Sequence, residues 1–205
     1  MTEAPTGIDP GPVTAWITDR VPDLAPPLTF DLITGGASNL TFRVTDTDGA
    51  RLVLRRPPTG RILASAHDVA REHRIIAALA DTPVPVPPAV GLCDDESVNG
   101  APFYVMGFVE GSIVFDLADG EAVDPSLRPV MTASLVDTLV DLHALDPAAV
   151  GLGDLGRTED YCARQLRRWK RQVDEGSDRA LPLLHELHAR MSDTIPPQQG
   201  AGIVH

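Results

Sequence analysis

Two runs decide the fold: Leu52-Val53-Leu54-Arg55 and, further along the chain, Val69-Ala70-Arg71-Glu72-His73-Arg74-Ile75-Ile76. Alternation along a β-strand places Val53 and Arg55 on one face of the first run. At the period of an α-helix, Glu72 falls within the apolar arc that Val69, Ile75 and Ile76 of the second run form with Leu79, which follows it. The sequence thus predicts a carboxylate on the packing face of a helix.

That carboxylate needs a partner, because burying an unpaired carboxylate costs several kcal/mol or forces the group to take up a proton. Arg55 is the nearest candidate in chain order, since its strand precedes the helix of Glu72. The alternative for Arg55 alone is an exposed cation at the end of a strand.

Around these runs the sequence predicts a sheet-rich front half and a helical rear half. Short β-type runs at 28–33, 40–45 and 51–54 indicate an antiparallel meander, and runs at 89–92 and 103–109 indicate a hairpin around an acidic turn. Apolar residues at three- and four-residue spacing predict helices after residue 111. The fold class expected is therefore α+β.

Three finer expectations concern element ends. The helix of Glu72 is expected at 65–80, with Ser65 as its N-cap and Asp68 in its first turn. A short apolar-periodic stretch around Val13 predicts a helix lying on the surface. Residues 202–205 are expected to begin another strand.

The composition is that of a folded protein. Of the 205 residues, 43% are hydrophobic and 22% charged, which excludes a wholly disordered or collagen-like chain. The net charge of -12 would repel a phosphate backbone, so we expect no nucleic acid partner. No stretch approaches the ~20 apolar residues of a membrane span, and the two cysteines are far apart in sequence, so we expect no membrane association and a cytoplasmic location.

Two further segments are uninformative alone. Thr34-Gly35-Gly36-Ala37-Ser38-Asn39 is either a plain hairpin turn or a turn whose backbone N–H groups approach an anion. Val105-Met106-Gly107-Phe108-Val109-Glu110-Gly111 is equally well an ordinary buried strand that ends at a glycine. Taken in order, however, Gly-rich turn, strand cation, helix glutamate and linker resemble the nucleotide-binding lobe of the protein-kinase superfamily.

More specifically, the chain resembles the aminoglycoside phosphotransferase family and its relatives associated with acyl-CoA dehydrogenases, from about Leu28 to His205. The motifs are L-I-T-G-G-A-S-N-L-T-F, R-L-V-L-R-R-P-P, V-A-R-E-H-R-I-I, P-F-Y-V-M-G-F-V-E-G, L-V-D-L-H-A-L-D and I-V-H. Residues 1–27, which carry many prolines, are expected to form an arm that leads into the domain. For the rest of the chain the resemblance implies a protein-kinase-like fold, with a nucleotide-binding, antiparallel-sheet N-lobe with one long helix and the hinge at 28–111, and a partial, mainly helical C-lobe at 112–205.

The resemblance also implies transfer of phosphate from ATP or GTP, with Mg²⁺, to a hydroxyl of a small-molecule acceptor. Ser38 and Asn39 would lie over the nucleotide phosphates. Arg55 would take the place of the usual lysine and pair with Glu72. Arg56 would be the phosphate ligand instead if the strand register slips by one.

By this resemblance, the segment from Val105 to Gly111 would be the hinge, which seats the base of the nucleotide. Backbone groups of Gly107 and Val109 would face the adenine edge, and Met106 would lie at the back of the pocket.

In the family, a loop H-G-D-x-x-x-x-N supplies the aspartate that acts on the substrate hydroxyl and an asparagine that holds metal. His205 matches the first residue of this loop. The resemblance thus implies that the chain stops before the catalytic loop, that the metal ligands lie beyond residue 205, and that residues 1–205 alone are inactive in phosphate transfer. The alternative is a non-catalytic, kinase-like module that binds a nucleotide or a protein partner.

Overall fold

The computed structural model describes residues 5–33, 39–59 and 68–204. The chain forms two compact units, Met1–Leu142 and His143–His205. The predicted α+β class is confirmed, because the first unit holds a five-stranded sheet with helices and the described part of the second unit is helical. In the described residues no helix is both long and apolar enough to cross a lipid bilayer.

The sheet is antiparallel throughout and has the strand order β1-β2-β3-β5-β4. Its strands are β1 (Thr29–Leu32), β2 (Leu40–Thr45), β3 (Arg51–Arg56), β4 (Ala89–Cys93) and β5 (Phe103–Gly107). The predicted meander and hairpin are both present. The hairpin connection contains a short helix where the sequence predicted an acidic turn, because the Asp95 carboxylate accepts a hydrogen bond from the Ser97 backbone N–H at 2.9 Å and caps it.

Seven helices occur in the described residues. They are α1 (Pro10–Arg20), α2 (Val69–Leu79), α3 (Glu96–Asn99), α4 (Leu117–Ala122), α5 (Arg128–Ala144), α6 (Tyr161–Gly176) and α7 (Pro182–Asp193). Residues 202–204 are not a strand, so the expectation of a new strand there is wrong for the described residues.

The main core lies between one face of the sheet and α1. Val13 and Ile17 of α1 are fully buried, and the Trp16 ring meets the Phe103 ring edge to face at 5.0 Å between centroids. A Cβ on Gly91 of β4 would lie 3.2 Å from the Trp16 ring, so α1 sits close to the sheet. The predicted helix is present, and its apolar face is part of the core, so burial of α1 side chains helps to stabilise the sheet.

The helix α2 lies against β4 and β5 on the opposite face. It begins at Val69, because the Asp68 carboxylate accepts a hydrogen bond from the Arg71 backbone N–H at 2.9 Å and acts as the N-cap. The expected start was Ser65, which lies outside the described residues, with Asp68 inside the first turn. The corrected start leaves Glu72 in the first turn, where a carboxylate also interacts favourably with the helix dipole.

The turn between β2 and β3 is organised by Asp46. Its carboxylate accepts hydrogen bonds from the backbone N–H groups of Ala25 at 3.0 Å, Asp48 at 3.0 Å and Ala50 at 2.7 Å. The Ala25 N–H, followed by those of Ala50 and Asp48, holds the pKa of Asp46 below its ordinary value. Asp46 thereby fastens the segment before β1 to the sheet.

Exposed apolar side chains are common in the helices after the sheet. None of the described helices α5, α6 and α7 has a fully buried residue. On α5 the exposed large apolar side chains are Val130, Met131, Leu135, Val136 and Val140. Within the second unit α6 packs against α7, and the Asp174 carboxylate pairs with Lys170 at 2.6 Å and His185 at 3.0 Å.

We predict that Ile17→Ala lowers the free energy of unfolding by about 2–5 kcal/mol, because it opens a cavity in the core under α1. The matched control is Ile113→Ala, since the Ile113 side chain is 76% exposed and its truncation should change stability by less than about 0.5 kcal/mol. Chemical denaturation monitored by circular dichroism gives both values. Equal effects of the two substitutions would show that α1 is not part of the core.

We also predict that Asp46→Asn makes the stability of the fold less dependent on pH below about pH 5. Because the pKa of Asp46 is lowered in the folded state, its contribution is fully present above about pH 5 and is lost as the pH falls through the folded-state pKa. The asparagine variant should melt at a lower temperature near neutral pH and lose less stability on acidification. Melting curves across the pH range test this, with the exposed Asp48→Asn as control; parallel profiles for wild type and Asp46→Asn would contradict it.

Candidate functional site

The candidate site is built on the face of the sheet that α2 covers. Arg55 of β3 and Tyr104 of β5 are directly paired across the two strands, so both side chains leave the same face. Because α2 packs over β5, Glu72 in its first turn reaches both of them. The periodicity that put Glu72 on the packing face therefore brings it over the strand cation.

The Glu72 carboxylate accepts from three side chains. Its Oε2 lies 3.3 Å from Arg55 Nη1 and 3.1 Å from the Tyr104 hydroxyl, which donates to it. Its Oε1 accepts a hydrogen bond from Asn39 Nδ2 at 2.8 Å. The ion pair that the sequence predicted between Arg55 and Glu72 is present, and the two hydrogen bonds were not foreseen.

This pair is half-buried. The side chains of Arg55 and Glu72 are 29% and 33% exposed, whereas Tyr104 is completely buried and Asn39 is 5% exposed. Within the described parts of the chain, the Nε–H of Arg55 is shielded from solvent and has no acceptor. A buried donor without an acceptor costs about 1–3 kcal/mol. The Arg55 side chain is nevertheless 29% exposed, so an anionic oxygen can reach the guanidinium from solvent and would be stabilising there.

Two neighbouring groups titrate abnormally because they are buried. Desolvation raises the pKa of Tyr104 to about 12, the nearby Arg55 charge opposes that rise, and Glu72 adds to it. Burial lowers the pKa of His73, whose ring lies 6.0 Å from the Tyr104 ring between centroids. The Tyr104 hydroxyl thus stays protonated near neutral pH and acts as a donor to Glu72.

The structure also separates Arg55 from Arg56. Arg56 leaves the opposite face of β3, is 6% exposed, and donates to the backbone carbonyl oxygens of Pro57 at 2.9 Å and of Gly7. Burial lowers the pKa of Arg56. The strand register thus puts Arg55, and not Arg56, beside Glu72, which answers the alternative left open by the sequence.

The end of β5 is where the resemblance puts the base of a nucleotide. The Gly107 backbone N–H donates to the Pro88 carbonyl oxygen at 2.8 Å, so this N–H is not available to a ligand. A Cβ on Gly107 would lie 3.0 Å from Pro88 Cδ, which is why a glycine fits here. Met106 of β5 is half-buried and is the cross-strand partner of Val53 in β3. Val109 lies beyond the end of β5 and is 65% exposed.

The segment after β5 is tied to β3 through Arg51. This arginine forms an ion pair with Glu110, and its guanidinium lies over the Phe108 ring at 4.7 Å from the centroid. These contacts connect Arg51 of β3 to the residues on both sides of Val109.

Two of the predicted site residues, Ser38 and His205, lie outside the described residues. Asn39 is described, and its amide is directed at Glu72. Tyr104 was missed by the sequence reasoning. The available signal was a tyrosine between Phe103 and Val105 in a run that predicts a buried strand, because a buried phenol normally has a hydrogen-bond partner.

No group of three or more histidine, cysteine, aspartate or glutamate side chains in the described ranges could hold a metal ion. What the described residues do offer is one half-buried guanidinium, held by a carboxylate, that could bind an anionic group.

Comparison with curated proteins shows similarity to parts of much longer chains. The chain is 35% identical over 170 residues to acyl-CoA dehydrogenase family member 10 of Mus musculus, covering 83% of this chain and 16% of that protein. It is 38% identical over 162 residues to acyl-CoA dehydrogenase family member 11 of Gallus gallus, covering 79% of this chain and 20% of that protein. The chain therefore spans at most about a fifth of the length of these two relatives.

Solved structures show the same fold. A crystal structure from Ralstonia eutropha, of a protein assigned to the aminoglycoside phosphotransferases, superposes with a TM-score of 0.77 at 30% identity and covers 95% of this chain and 56% of its own. The GDP complex of aminoglycoside 2'-phosphotransferase-IIIa superposes with a TM-score of 0.57 at 17% identity, covering 89% of this chain and 58% of its own, and shows likeness of fold.

The family model of the phosphotransferase enzyme family matches residues 29–205, which include the sheet, α2 and all the helices that follow. The arrangement of Arg55 and Glu72 described above lies within that match. The chain thus has a protein-kinase-like fold and belongs to the phosphotransferase enzyme family.

Proposed function

We propose that this chain binds the phosphates of ATP or GTP through Arg55, as the nucleotide-holding part of a phosphotransferase that acts on a hydroxyl of a small molecule. The observation that carries the proposal is the Arg55–Glu72 ion pair of 3.3 Å on a half-buried face of the sheet. Binding is proposed for residues 1–205, and transfer of phosphate for the protein as a whole.

The chemistry of Arg55 suits phosphate. A guanidinium is planar and can donate two parallel hydrogen bonds to a phosphate group, and it stays charged at all physiological pH values. Glu72 restrains the guanidinium before the ligand arrives, so less conformational entropy is lost on binding. The Arg55 side chain is 29% exposed, so a phosphate oxygen can reach it from solvent.

The base would lie against the end of β5, with the Gly107 carbonyl and the backbone of Val109 facing its edge and Met106 behind it. The Gly107 N–H donates to the Pro88 carbonyl oxygen and is not available to the base. When bound, Mg²⁺ would neutralise charge on the phosphates. We expect a cytoplasmic location, consistent with the two free thiols of Cys93 and Cys162.

The acceptor is proposed to be a small molecule and not a nucleic acid. The charge of -12 disfavours a polyanion at long range and is compatible with a cationic acceptor. Similarity to the Ralstonia eutropha protein that is assigned to the aminoglycoside phosphotransferases supports a small-molecule acceptor.

We predict that Arg55→Met weakens binding of Mg·ATP or Mg·GTP at least tenfold, since hydrogen bonds between charged groups contribute about 1.5–3 kcal/mol. Glu72→Gln should weaken it less, because the guanidinium remains but loses its anionic partner. Isothermal titration calorimetry on the 205-residue chain, at low and at moderate salt, gives the dissociation constants and shows which nucleotide is preferred.

The control is Arg71→Met, which removes the same charge from an exposed position one residue before Glu72. It should leave nucleotide affinity within about twofold of the wild type, because exposed charges are screened by salt. Equal affinities of wild type, Arg55→Met and Arg71→Met would refute the assignment of Arg55.

A further inference from the structure

We propose that Tyr104 and Asn39 are positioning residues: their hydrogen bonds fix the Glu72 carboxylate so that it holds Arg55 in the orientation that binds phosphate. The effect on phosphate binding rests on the proposed function. The orientation of the Arg55 guanidinium by the Glu72 carboxylate does not, and it can be tested without a nucleotide. It also gives Asn39 a role different from the contact with phosphate that the resemblance implied.

The two oxygens of Glu72 are held from different strands. Asn39, which directly precedes β2, holds Oε1 at 2.8 Å, while Tyr104 of β5 and Arg55 of β3 both meet Oε2, at 3.1 and 3.3 Å. A glutamate attached to one cation alone turns easily about its last side-chain torsion, which is broad and roughly two-fold. Donors on both oxygens remove that freedom and leave one orientation for the guanidinium.

Tyr104 is well suited to this role. Its ring is completely buried in β5, and its cross-strand pairing with Arg55 fixes the hydroxyl beside the guanidinium. With a pKa of about 12, the hydroxyl remains a donor throughout the physiological range. Asn39, at 5% exposure, is also held away from solvent, so neither donor is readily replaced by water.

The first test needs no nucleotide. Tyr104→Phe removes one oxygen atom, and the matched control is Tyr161→Phe, at the only other tyrosine of the chain, which is 57% exposed on α6. The readout is the 15Nε–1Hε cross-peak of Arg55 in an NMR spectrum, assigned by its loss in Arg55→Lys. Because this Nε is shielded from solvent, we expect slow proton exchange in the wild type and in Tyr161→Phe.

In Tyr104→Phe the cross-peak should shift, and its proton exchange should accelerate severalfold. Asn39→Ala, which removes the donor to Glu72 Oε1, should cause the same shift and the same faster exchange. If Tyr104→Phe does not fold, Asn39→Ala is tested in its place. A cross-peak unchanged in both position and exchange rate in the folded variants overturns the proposal.

The second test asks whether the effect reaches the ligand through Glu72. Tyr104→Phe should weaken nucleotide binding roughly three- to tenfold in the wild-type background and have no further effect in Glu72→Ala, because alanine offers the Tyr104 hydroxyl no acceptor and residues in one network are not additive. A merely structural tyrosine would have the same effect in both backgrounds, which would overturn the proposal.

The two hypotheses fail in different ways. If Arg55→Met does not weaken nucleotide binding, the proposed function fails and the Arg55 cross-peak alone decides whether Tyr104 and Asn39 position the guanidinium. If Arg55→Met weakens binding but Tyr104→Phe and Asn39→Ala leave both affinity and cross-peak unchanged, the proposed function stands and the positioning role is overturned.

Discussion

The first unit is organised around a charged group placed between a helix and a sheet. The Glu72 carboxylate lies on the packing face of α2, where a carboxylate without partners would be strongly destabilising. Donors from three places in the sheet satisfy it: Asn39 before β2, Arg55 in β3 and Tyr104 in β5. The rotation of α2 about its axis is therefore set by a polar requirement as well as by apolar burial of Val69 and Leu79.

Successive side chains of a β-strand leave opposite faces of the sheet, and in β3 this gives two neighbouring arginines different surroundings. Arg55 faces α2, meets a carboxylate and stays partly exposed, as suits a group that binds a ligand. Arg56 faces the other way and is surrounded by neutral carbonyl oxygens, including that of Gly7, so it fastens the segment before α1 to the sheet. A shift of one residue in register would exchange these environments and leave Glu72 without its cation.

The sequence predicted best what depends on local periodicity. The bounds of β2 and the pairing of Arg55 with Glu72 follow from periods of two and 3.6 residues. The start of α2 was missed because Ser65 and Asp68 are both capable N-caps and the pattern does not choose between them. Tyr104 and Asn39 approach Glu72 only through the sheet, and a contact between residues distant in sequence leaves no periodic signal.

The burial of α1 could not be predicted for the same reason. A narrow apolar stripe occurs both in helices on the surface and in helices that pack into a core. What distinguishes α1 is its contact with the sheet, such as that of Trp16 with the Phe103 ring, and the local sequence does not show that contact. Ser38 and His205 remain predictions, since they lie outside the described residues.

The burial of α1 also separates two definitions of a domain. The match to the family begins at residue 29, yet the side chains of Ile8, Val13 and Ile17 belong to the same hydrophobic cluster as Phe42, Leu54 and Phe103. The unit recognised by similarity is thus smaller than the unit held together by packing. A fragment cut where the similarity begins would expose the sheet face opposite Glu72, although every residue of the candidate site would still be present.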